Sequence, residues 1–341
     1  MFLKTYQAAC GRRNPVKGSG TLKNRIIAIA GPTASGKTAL AVCLAKKIGG
    51  EVISNDSMQI YRGMVIGTAA PSDGEICGVP HHMIGCVDPG TPFSCADYAS
   101  AVRPIIEDIT ARGHIPVFCG GTGLYLDAVL SVGDFSESVK DDALRKDLEK
   151  YAAENGAEAL HARLEAVDPE AAAAIHCNNI RRVVRAIEIY ETTGITKTEW
   201  DRRSKLRPTG YDADIVVLDF LSRELLCRRI DMRVDKMMAS GLEDEVRALW
   251  ENGKLTPQSP AYQAIGYKEF IPYFEGGASL DTVVQQIKTN TRRYSKRQNT
   301  WFRRYSDAIR VHADTPESAM RDTEDICSEV LQALRKRGYE N

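Results

Sequence analysis

Apolar runs along the chain alternate between lengths that are typical of strands and lengths that are typical of helices. Residues 25–30, Arg-Ile-Ile-Ala-Ile-Ala, predict a buried parallel strand, and residues 39–47 predict a helix that ends at Gly49-Gly50. Strands alternating with helices indicate an α/β fold with a doubly wound parallel sheet. Further strands are predicted at 51–56, 115–119 and 214–220.

The middle of the chain has a different pattern. Between residues 136 and 212 no strand pattern occurs, and apolar residues recur at helical spacing among many alanines. We therefore predict that residues 25–135 and 213–330 form the α/β core with C-terminal helices, and that residues 136–212 form an inserted all-helical domain. Residues 1–24 are basic and contain no acid, and we interpret them as a disordered leader.

Composition limits the class of protein. The chain has 341 residues with 43% hydrophobic and 26% charged residues, which is typical of a globular protein with a large core. No apolar stretch approaches the ~18 residues that span a bilayer, so we expect a soluble, cytoplasmic protein without a membrane partner. We also expect a monomer.

Metal and disulfide frameworks are not indicated by the sequence. The nine cysteines include no Cys-x-x-Cys pair, which disfavours a zinc ribbon and a disulfide scaffold. His81 and His82 are adjacent but have no further partner at ligand spacing, so we interpret them as structural.

A phosphate-binding loop follows the first predicted strand. Residues 31–38 match the pattern G-x-x-x-x-G-K-[ST], whose backbone amides bind a phosphate chain at a helix N-terminus. In such loops the lysine supplies a charge and the final hydroxyl binds magnesium. The pattern alone does not distinguish ATP from another phosphate chain. The predicted phosphate contacts are Gly31, Pro32, Thr33, Ala34, Ser35, Gly36, Lys37 and Thr38, with Thr38 as a ligand of Mg²⁺.

Two further side chains are predicted to lie near this loop. Asp56 ends the second predicted strand, and ligands of open α/β sheets bind outside the carboxyl ends of strands. It could be a magnesium ligand, a general base or a loop-capping residue. In the helix that begins near Ser222, Arg229 and Arg233 border an apolar stripe and can reach the same crevice, although an ion-paired surface arginine is the ordinary alternative.

A basic segment lies near the C-terminus. The chain contains 45 Lys and Arg and 45 Asp and Glu, but residues 285–304 contain seven basic residues and no acid. Together with Tyr294, Trp301 and Phe302, these cations favour binding to an RNA backbone over a merely solvated face. The seven are Lys288, Arg292, Arg293, Lys296, Arg297, Arg303 and Arg304.

Several segments, in order, resemble the bacterial tRNA dimethylallyltransferase family, which prenylates the adenosine beside the anticodon. The resemblance covers roughly residues 25 to 305. The segments are GPTASGKT from Gly31, SNDSMQIYRGMVIGTA from Ser54, GGTGLY from Gly120, RAIEI from Arg185, RIDMRV from Arg229, ASGLEDEVRAL from Ala239, AIGYKE from Ala264 and KRQNTWFRR from Lys296.

The resemblance implies a P-loop NTPase-like core and a specific reaction. A dimethylallyl group would pass from dimethylallyl diphosphate to N6 of the adenosine 3′-adjacent to the anticodon, and diphosphate would leave. The loop would then bind the diphosphate of the donor instead of ATP. In this family Asp56 would be the general base, Arg233 would hold the diphosphate, and Thr122 would contact the target nucleotide. Thr122 could also cap the helix predicted from Leu124.

The partner implied by the resemblance is the tRNA anticodon stem-loop. The inserted helical domain would contribute to its binding. The implied tRNA contacts are Asp56, Ser57, Met58, Gln59, Thr122, Arg145, Arg181, Arg182, Arg185, Gln263, Gly266, Lys268, Lys296, Arg297 and Gln298.

Three other functions are also compatible with the sequence. A small-molecule kinase would use the same loop for ATP and would have no use for a basic RNA face. A nucleotide-dependent RNA-binding module would not need Asp56 for function. A prenyltransferase of free AMP, ADP or ATP would share the chemistry but would not act on tRNA.

Overall fold

The structure, a computed structural model, describes residues 25–131, 141–206 and 210–339. These residues fall into two compact units. The first comprises the chain up to Val129 and again from Tyr211, and the second is Leu130–Gly210. The predicted leader at residues 1–24 lies outside the described residues.

The first unit is built on a six-stranded sheet in which every strand pair is parallel. The strand order is β3-β2-β4-β1-β5-β6, so β1 is central. This confirms the predicted parallel α/β fold. The strands are β1 (Arg25–Ala30), β2 (Gly50–Ser54), β3 (His81–His82), β4 (Ile115–Cys119), β5 (Asp212–Asp219) and β6 (Ile309–His312).

The sequence pattern located four of these strands and missed the two at the edges. Edge strands β3 and β6 have two and four residues, too few to show a periodic pattern. The second strand also ends earlier than predicted, at Ser54 rather than Asp56. The backbone turns there because the Asp56 carboxylate accepts hydrogen bonds from the N–H groups of Met58 and Gln59, which follow it in sequence.

Helices of the described chain are numbered in chain order. Before the second unit lie α1 (Lys37–Ile48), α2 (Asp73–Ile76), α3 (Cys95–Ala111) and α4 (Gly123–Leu130). The second unit holds α5 (Asp142–Asn155), α6 (Ala157–Val167), α7 (Pro169–Ala174), α8 (Ile180–Thr193) and α9 (Lys197–Leu206). After it come α10 (Arg223–Ala239), α11 (Leu242–Glu251), α12 (Ile271–Phe274), α13 (Leu280–Phe302) and α14 (Thr323–Lys336).

Helices pack on both faces of the sheet. On one face, Ile27 and Ile29 of β1 lie in a buried cluster with residues of α1 and α14. On the other face, Ala30 of β1 and Val217 of β5 contact Phe302 at the end of α13. Because adjacent strand residues point to opposite faces, this alternation is what a doubly wound sheet requires. It brings the end of α13 to the same sheet that carries the phosphate loop.

Helix α10 is fixed at its first turn. The Ser222 hydroxyl accepts a hydrogen bond from the Leu225 N–H, and the buried Asp314 carboxylate accepts from the N–H groups of Leu221 and Ser222. Both acids and hydroxyls at a helix start satisfy amides that have no intrahelical partner. The predicted apolar stripe packs inward, since Leu226, Ile230 and Val234 are buried.

Between residues 141 and 206 of the second unit the regular elements are all helices, joined by short turns. Its helices enclose a core of their own, which includes Leu148, Leu160, Leu164, Val183 and Ile187. Across the described parts of both units, no helix is long and apolar enough to cross a membrane. The eight cysteines in these parts form no disulfide.

Candidate active site

The phosphate loop connects β1 to α1 and has the backbone that its glycines and small residues permit. Gly31 has φ near +140°, and a Cβ there would lie 2.5 Å from the Leu218 carbonyl oxygen of β5. Gly36 has φ of 93° and caps the N-terminus of α1 in the left-handed conformation. Only glycine adopts such conformations without strain. The loop is therefore shaped by glycine at the two positions that the motif fixes.

Lys37 lies in a crevice with Arg233 and Asp56. Burial, together with the charge of Arg233, lowers the pKa of Lys37 from 10.5 to about 8, while Cys119 and Asp56 oppose the shift. Burial likewise lowers the pKa of Arg233, against the attraction of Asp56 and Glu75. Two cations with one carboxylate in a desolvated crevice leave a net positive field, which favours a polyanionic ligand. The Lys37 ammonium meanwhile donates to the Pro32 carbonyl at 2.5 Å.

Arg229 of α10 contacts the loop, and the charge of Arg233 from the same helix is close enough to Lys37 to lower its pKa. The Arg229 Nε donates to the Ala34 carbonyl of the loop at 2.8 Å. Ala34 has φ of 63°, an uncommon value for a residue with a side chain, and this contact holds it there. Among the described residues Arg233 has no acidic partner within 4 Å. Its guanidinium is thus available for a ligand.

Asp56 is held at the start of a turn just beyond β2. Its Oδ1 accepts hydrogen bonds from the N–H groups of Met58, at 2.8 Å, and Gln59, at 3.3 Å. No protein donor in the described chain contacts Oδ2. One oxygen therefore fixes the carboxylate, and the other is open to a substrate proton. The loop-capping role and the general-base role, which the sequence left as alternatives, are compatible in this geometry.

Thr122 lies against the same turn. Its hydroxyl accepts from the Ser57 N–H at 3.1 Å and lies 3.4 Å from the Ser57 hydroxyl. The side chain is thus directed to the Asp56–Gln59 turn, while the Thr122 carbonyl accepts from the first amides of α4. Burial raises the pKa of the neighbouring Tyr294 to about 12, so its phenol stays protonated beside Thr122.

The glycines around Thr122 are needed for close packing. A Cβ on Gly120 would meet the Asn55 carbonyl oxygen at 2.1 Å, and one on Gly121 would meet the Gln298 amide at 1.9 Å. A Cβ on Gly123 would lie 2.1 Å from the Trp301 ring. The glycine-rich segment is therefore where β2, β4 and α13 approach each other, which the sequence alone did not reveal.

The place of Gln298 in the fold was not foreseen from the sequence. The residue was predicted to contact tRNA, but its side chain is only 4% exposed. Its oxygen accepts from the Thr33 N–H at 2.8 Å, and its nitrogen donates to the Gly121 carbonyl at 3.1 Å. In this structure its amide joins the phosphate loop to the end of β4, and direct tRNA contact stays a prediction.

The seven basic residues of the segment 285–304 differ in whether an acid lies beside them. Lys288 pairs with Asp235 at 2.6 Å and Arg292 with Asp231 at 2.5 Å, both acids lying on α10. The segment itself has no acid, but its neighbour supplies counter-charges. Arg304 stacks on Trp301 and lies 3.9 Å from Asp127. The remaining four cations are exposed and have no acidic partner within 4 Å among the described residues; they are Arg293, Lys296, Arg297 and Arg303.

The other predicted tRNA contacts differ in accessibility. In the first unit Gln263 is exposed, Lys268 is partly exposed, and Gly266 is buried with φ of 93°. In the second unit Arg181 and Arg182 are exposed. Arg145 and Arg185 there contact the buried Glu188 carboxylate at 2.8 and 2.6 Å. Glu188 therefore fixes the side chains of both arginines.

The side chains near Thr38 are compatible with a magnesium ion that binds together with a phosphate-containing ligand. Thr38 is partly exposed in the first turn of α1, beside Lys37 and Cys119. Within the described chain no group of three or more His, Cys, Asp or Glu side chains could enclose a metal. Mg²⁺ commonly uses few protein ligands and completes its shell with phosphates and water. His81 and His82 contact the Val79 carbonyl and the Glu51 carboxylate instead.

Comparison with known proteins matches this geometry to a family. A family profile described as IPP transferase matches residues 59–305, and one described as isopentenyl transferase matches residues 24–84. The chain belongs to the IPP transferase family. A curated family member from Geobacillus thermodenitrificans, named tRNA dimethylallyltransferase, is 47% identical over 92% of this chain and 98% of its own. The tRNA dimethylallyltransferase of Bacillus subtilis is 49% identical over 82% and 88% of the two chains.

Solved IPP transferase structures share the fold. The full-length tRNA isopentenylpyrophosphate transferase of Bacillus halodurans aligns with a TM-score of 0.68 and 40% identity, covering 92% of this chain and 96% of that one. A eukaryotic dimethylallyltransferase described as acting on tRNA aligns with a TM-score of 0.76 and 31% identity, covering 91% and 77%. The resemblance to this family inferred from the sequence segments is confirmed.

Proposed function

We propose that this protein transfers the dimethylallyl group of dimethylallyl diphosphate to N6 of the adenosine 3′-adjacent to the anticodon in tRNA. The observation that carries the proposal is the joint placement of Lys37, Arg233 and Asp56 in one crevice. A phosphate loop with two cations suits a diphosphate, and a carboxylate beside it suits a nucleophile that must lose a proton. Family membership and the names of its relatives support the same activity.

The diphosphate of the donor would occupy residues 31–38. Loop amides and the N-terminus of α1 stabilise phosphate oxygens, and Lys37 and Arg233 neutralise the charge that develops as the C1–O bond breaks. Leaving-group stabilisation of this kind is commonly the largest electrostatic contribution to a displacement. Thr38 would hold Mg²⁺, which when bound offsets charge on the diphosphate.

Asp56 would serve the nucleophile. The adenine N6 attacks C1 of the donor, the C1–N6 bond forms, and diphosphate departs with the electrons of the C1–O bond. The extra N6 proton passes to Asp56, whose Oδ2 has no protein donor among the described residues. Thr122, fixed on Ser57, lies where it can contact the same nucleotide.

The tRNA would bind along the exposed cations. Arg293, Lys296 and Arg297 of α13, and Arg303 just after it, present charge without nearby acidic partners in the described chain. Because Gln298 of the same helix contacts the phosphate loop, RNA bound to α13 would lie next to the donor site. The residues assigned to the reaction lie on one chain, so we propose a monomer that acts in the cytoplasm, where tRNA is found.

One competition experiment tests the proposal. Purified protein receives donor labelled in the dimethylallyl group together with equimolar tRNA and free AMP, ADP and ATP. We expect the label in tRNA only. Label in free nucleotide alone would contradict tRNA as the substrate. Transfer of phosphate from labelled ATP to a small molecule, without prenyl transfer, would identify a kinase.

An Asp56→Ala variant separates catalysis from binding. We expect it to lose nearly all prenyl transfer while retaining tRNA binding, measured by filter retention. Asp73→Ala, an exposed acid in the first turn of α2, is a matched control and should retain activity. Wild-type transfer rates in Asp56→Ala would exclude the general-base assignment.

A further inference from the structure

The carboxylate of Glu245 on α11 accepts four hydrogen bonds. Its Oε2 accepts from the N–H groups of Val65, at 2.8 Å, and Ile66, at 2.7 Å. Its Oε1 accepts from the Gly67 N–H at 3.0 Å and from the Tyr267 hydroxyl at 2.7 Å. Three successive amides on one carboxylate are the arrangement that backbone nests use for anions. Here the anion is a side chain of the protein itself.

This contact holds one side of a loop that belongs to no helix or strand. Residues 65–70 form turns rather than a helix or strand, and the Val65 side chain is 54% exposed. Gly67 packs so closely on Tyr267 that a Cβ at this position would lie 2.5 Å from the Tyr267 ring. Glu245 and Tyr267 therefore fix the position of the loop from one side.

Gln59 fixes the same loop from the other side. Its Nε2 donates to the carbonyls of Thr68 and Ala69, each at 3.2 Å, and its Oε1 accepts from the Ser54 hydroxyl. The Gln59 N–H in turn donates to Asp56. A continuous chain of hydrogen bonds thus runs from Glu245 through the loop and Gln59 to Asp56.

Tyr267 connects Glu245 to a second segment. It lies between Gly266 and Lys268, both predicted tRNA contacts, and is fully buried. Burial raises its pKa well above the ordinary range, as does the adjacent carboxylate, so the phenol remains a donor to Glu245. The Gly266 N–H is held separately by Glu269, which also accepts from Asn290 of α13.

We propose that Glu245 is a positioning residue that holds two tRNA-contacting segments, the Asp56–Gln59 turn and residues 266–268, in their binding geometry. The inference rests on the proposed function. Glu245 touches neither the reacting atoms nor the donor; it acts through Gln59 and Tyr267. Ordering both segments before the RNA arrives removes an entropic cost of binding, so its effect falls on tRNA affinity.

The test uses Glu245→Gln, which keeps the shape but replaces one acceptor oxygen by an NH₂ group. If the remaining oxygen still accepts from the N–H groups of Val65 and Ile66, the new NH₂ group faces the Gly67 N–H and the Tyr267 hydroxyl and cannot accept hydrogen bonds from them. Tyr267→Phe is a second variant that removes only one of the four hydrogen bonds. The matched control is Glu243→Gln on the same helix, whose carboxylate pairs with Arg247, at 2.6 Å, and with no other cation among the described residues.

Two measurements are made on the full chain. Hydrogen exchange at the amides of residues 65–67 should accelerate roughly tenfold in Glu245→Gln, since their acceptor is impaired. In prenyl-transfer kinetics the KM for tRNA should rise roughly tenfold while the KM for the donor stays unchanged. Tyr267→Phe should show the same selectivity with a smaller change, and Glu243→Gln should match wild type in both measurements.

The outcomes separate this inference from the function on which it rests. Faster exchange at 65–67 with an unchanged KM for tRNA would overturn the positioning role. So would unchanged exchange, or equal losses with both substrates, which would indicate general destabilisation. If the wild-type protein itself transfers nothing to tRNA, the proposed function fails, and the positioning role fails with it.

Discussion

The side-chain oxygen of Gln298 accepts a hydrogen bond from the backbone N–H of Thr33 at 2.8 Å, although the two residues are 265 positions apart. This contact joins α13, which carries the exposed cations, to the loop predicted to bind diphosphate. The Gln298 nitrogen also binds the Gly121 carbonyl next to Thr122. The buried Gln298 amide therefore links the predicted RNA-binding helix to the phosphate loop and to Gly121 beside Thr122.

Gln298→Ala should weaken both the fold and donor binding. The variant leaves a partly buried N–H and a buried carbonyl without the Gln298 partner, which costs about 1–3 kcal/mol of unfolding free energy. The KM for dimethylallyl diphosphate should rise because the Thr33 amide is no longer oriented. Denaturant unfolding and steady-state kinetics measure the two effects. Asn299→Ala, the next residue on the helix, serves as the control, and equal behaviour of the two variants would contradict the linking role.

Donor-site affinity should depend on pH through Lys37. Burial lowers its pKa to about 8, so raising the pH through 8 removes the ammonium charge from the ligand-free site. Bound diphosphate favours the charged form, so affinity should fall by up to about tenfold for each pH unit above 8. Calorimetric titration with inorganic diphosphate between pH 7 and 10 measures this.

Lys37→Arg provides the matched control for that titration. Arginine stays charged across the range, so any remaining pH dependence in the variant belongs to the diphosphate itself. We expect the wild-type curve to be steeper than the variant curve above pH 8. Superimposable curves would show that Lys37 does not contact the diphosphate.

Arg233→Ala should impair donor use selectively. Hydrogen bonds to a charged ligand contribute about 1.5–3 kcal/mol, so the KM for the donor should rise roughly 10- to 150-fold. The dissociation constant for tRNA should stay close to that of wild type. The exposed neighbour Arg228 gives the control variant Arg228→Ala. A selective loss of tRNA affinity in Arg233→Ala would refute the assignment.

Two pairs of basic residues on α13 should respond differently to neutralisation. Lys296→Gln with Arg297→Gln should reduce the slope of log affinity for tRNA against log salt by about 2, roughly one for each phosphate contact. Lys288→Gln with Arg292→Gln removes cations already paired with α10, so it should lower stability by about 1 kcal/mol and alter the slope less. Equal slopes for wild type and the Lys296/Arg297 variant would exclude phosphate contacts there.

Elements of the fold and site could be predicted from the sequence wherever residues close together along the chain determine the local structure. The phosphate loop needs a strand before it and a helix after it. Both can be recognised in the sequence as apolar runs on either side of the glycines that the motif specifies. Asp56 follows the next strand, and the carboxyl ends of parallel strands share one edge of the sheet. The apolar stripe of α10 predicted which side packs and which arginines border it. For these elements, neighbours in sequence are also the neighbours that decide the conformation.

Contacts between distant segments could not be read in the same way. Gln298 looks like one polar residue among seven cations, and only its buried position reveals its partners at Thr33 and Gly121. Glu245 has the pattern of an ordinary charge on an amphipathic helix. The acids that pair with Lys288 and Arg292 lie more than fifty residues earlier, on a different helix. Such pairings follow from tertiary packing, which one sequence does not encode in any local pattern.

The most direct test of the account is the position of the prenyl group in the product. An anticodon stem-loop with adenosine 3′-adjacent to the anticodon is incubated with protein and dimethylallyl diphosphate, then digested and mapped by mass spectrometry. A second stem-loop carries guanosine at that one position. We expect N6-isopentenyladenosine at that position in the first RNA and no prenylation of the second. Equal prenylation of both RNAs, or prenylation of neither, would contradict it.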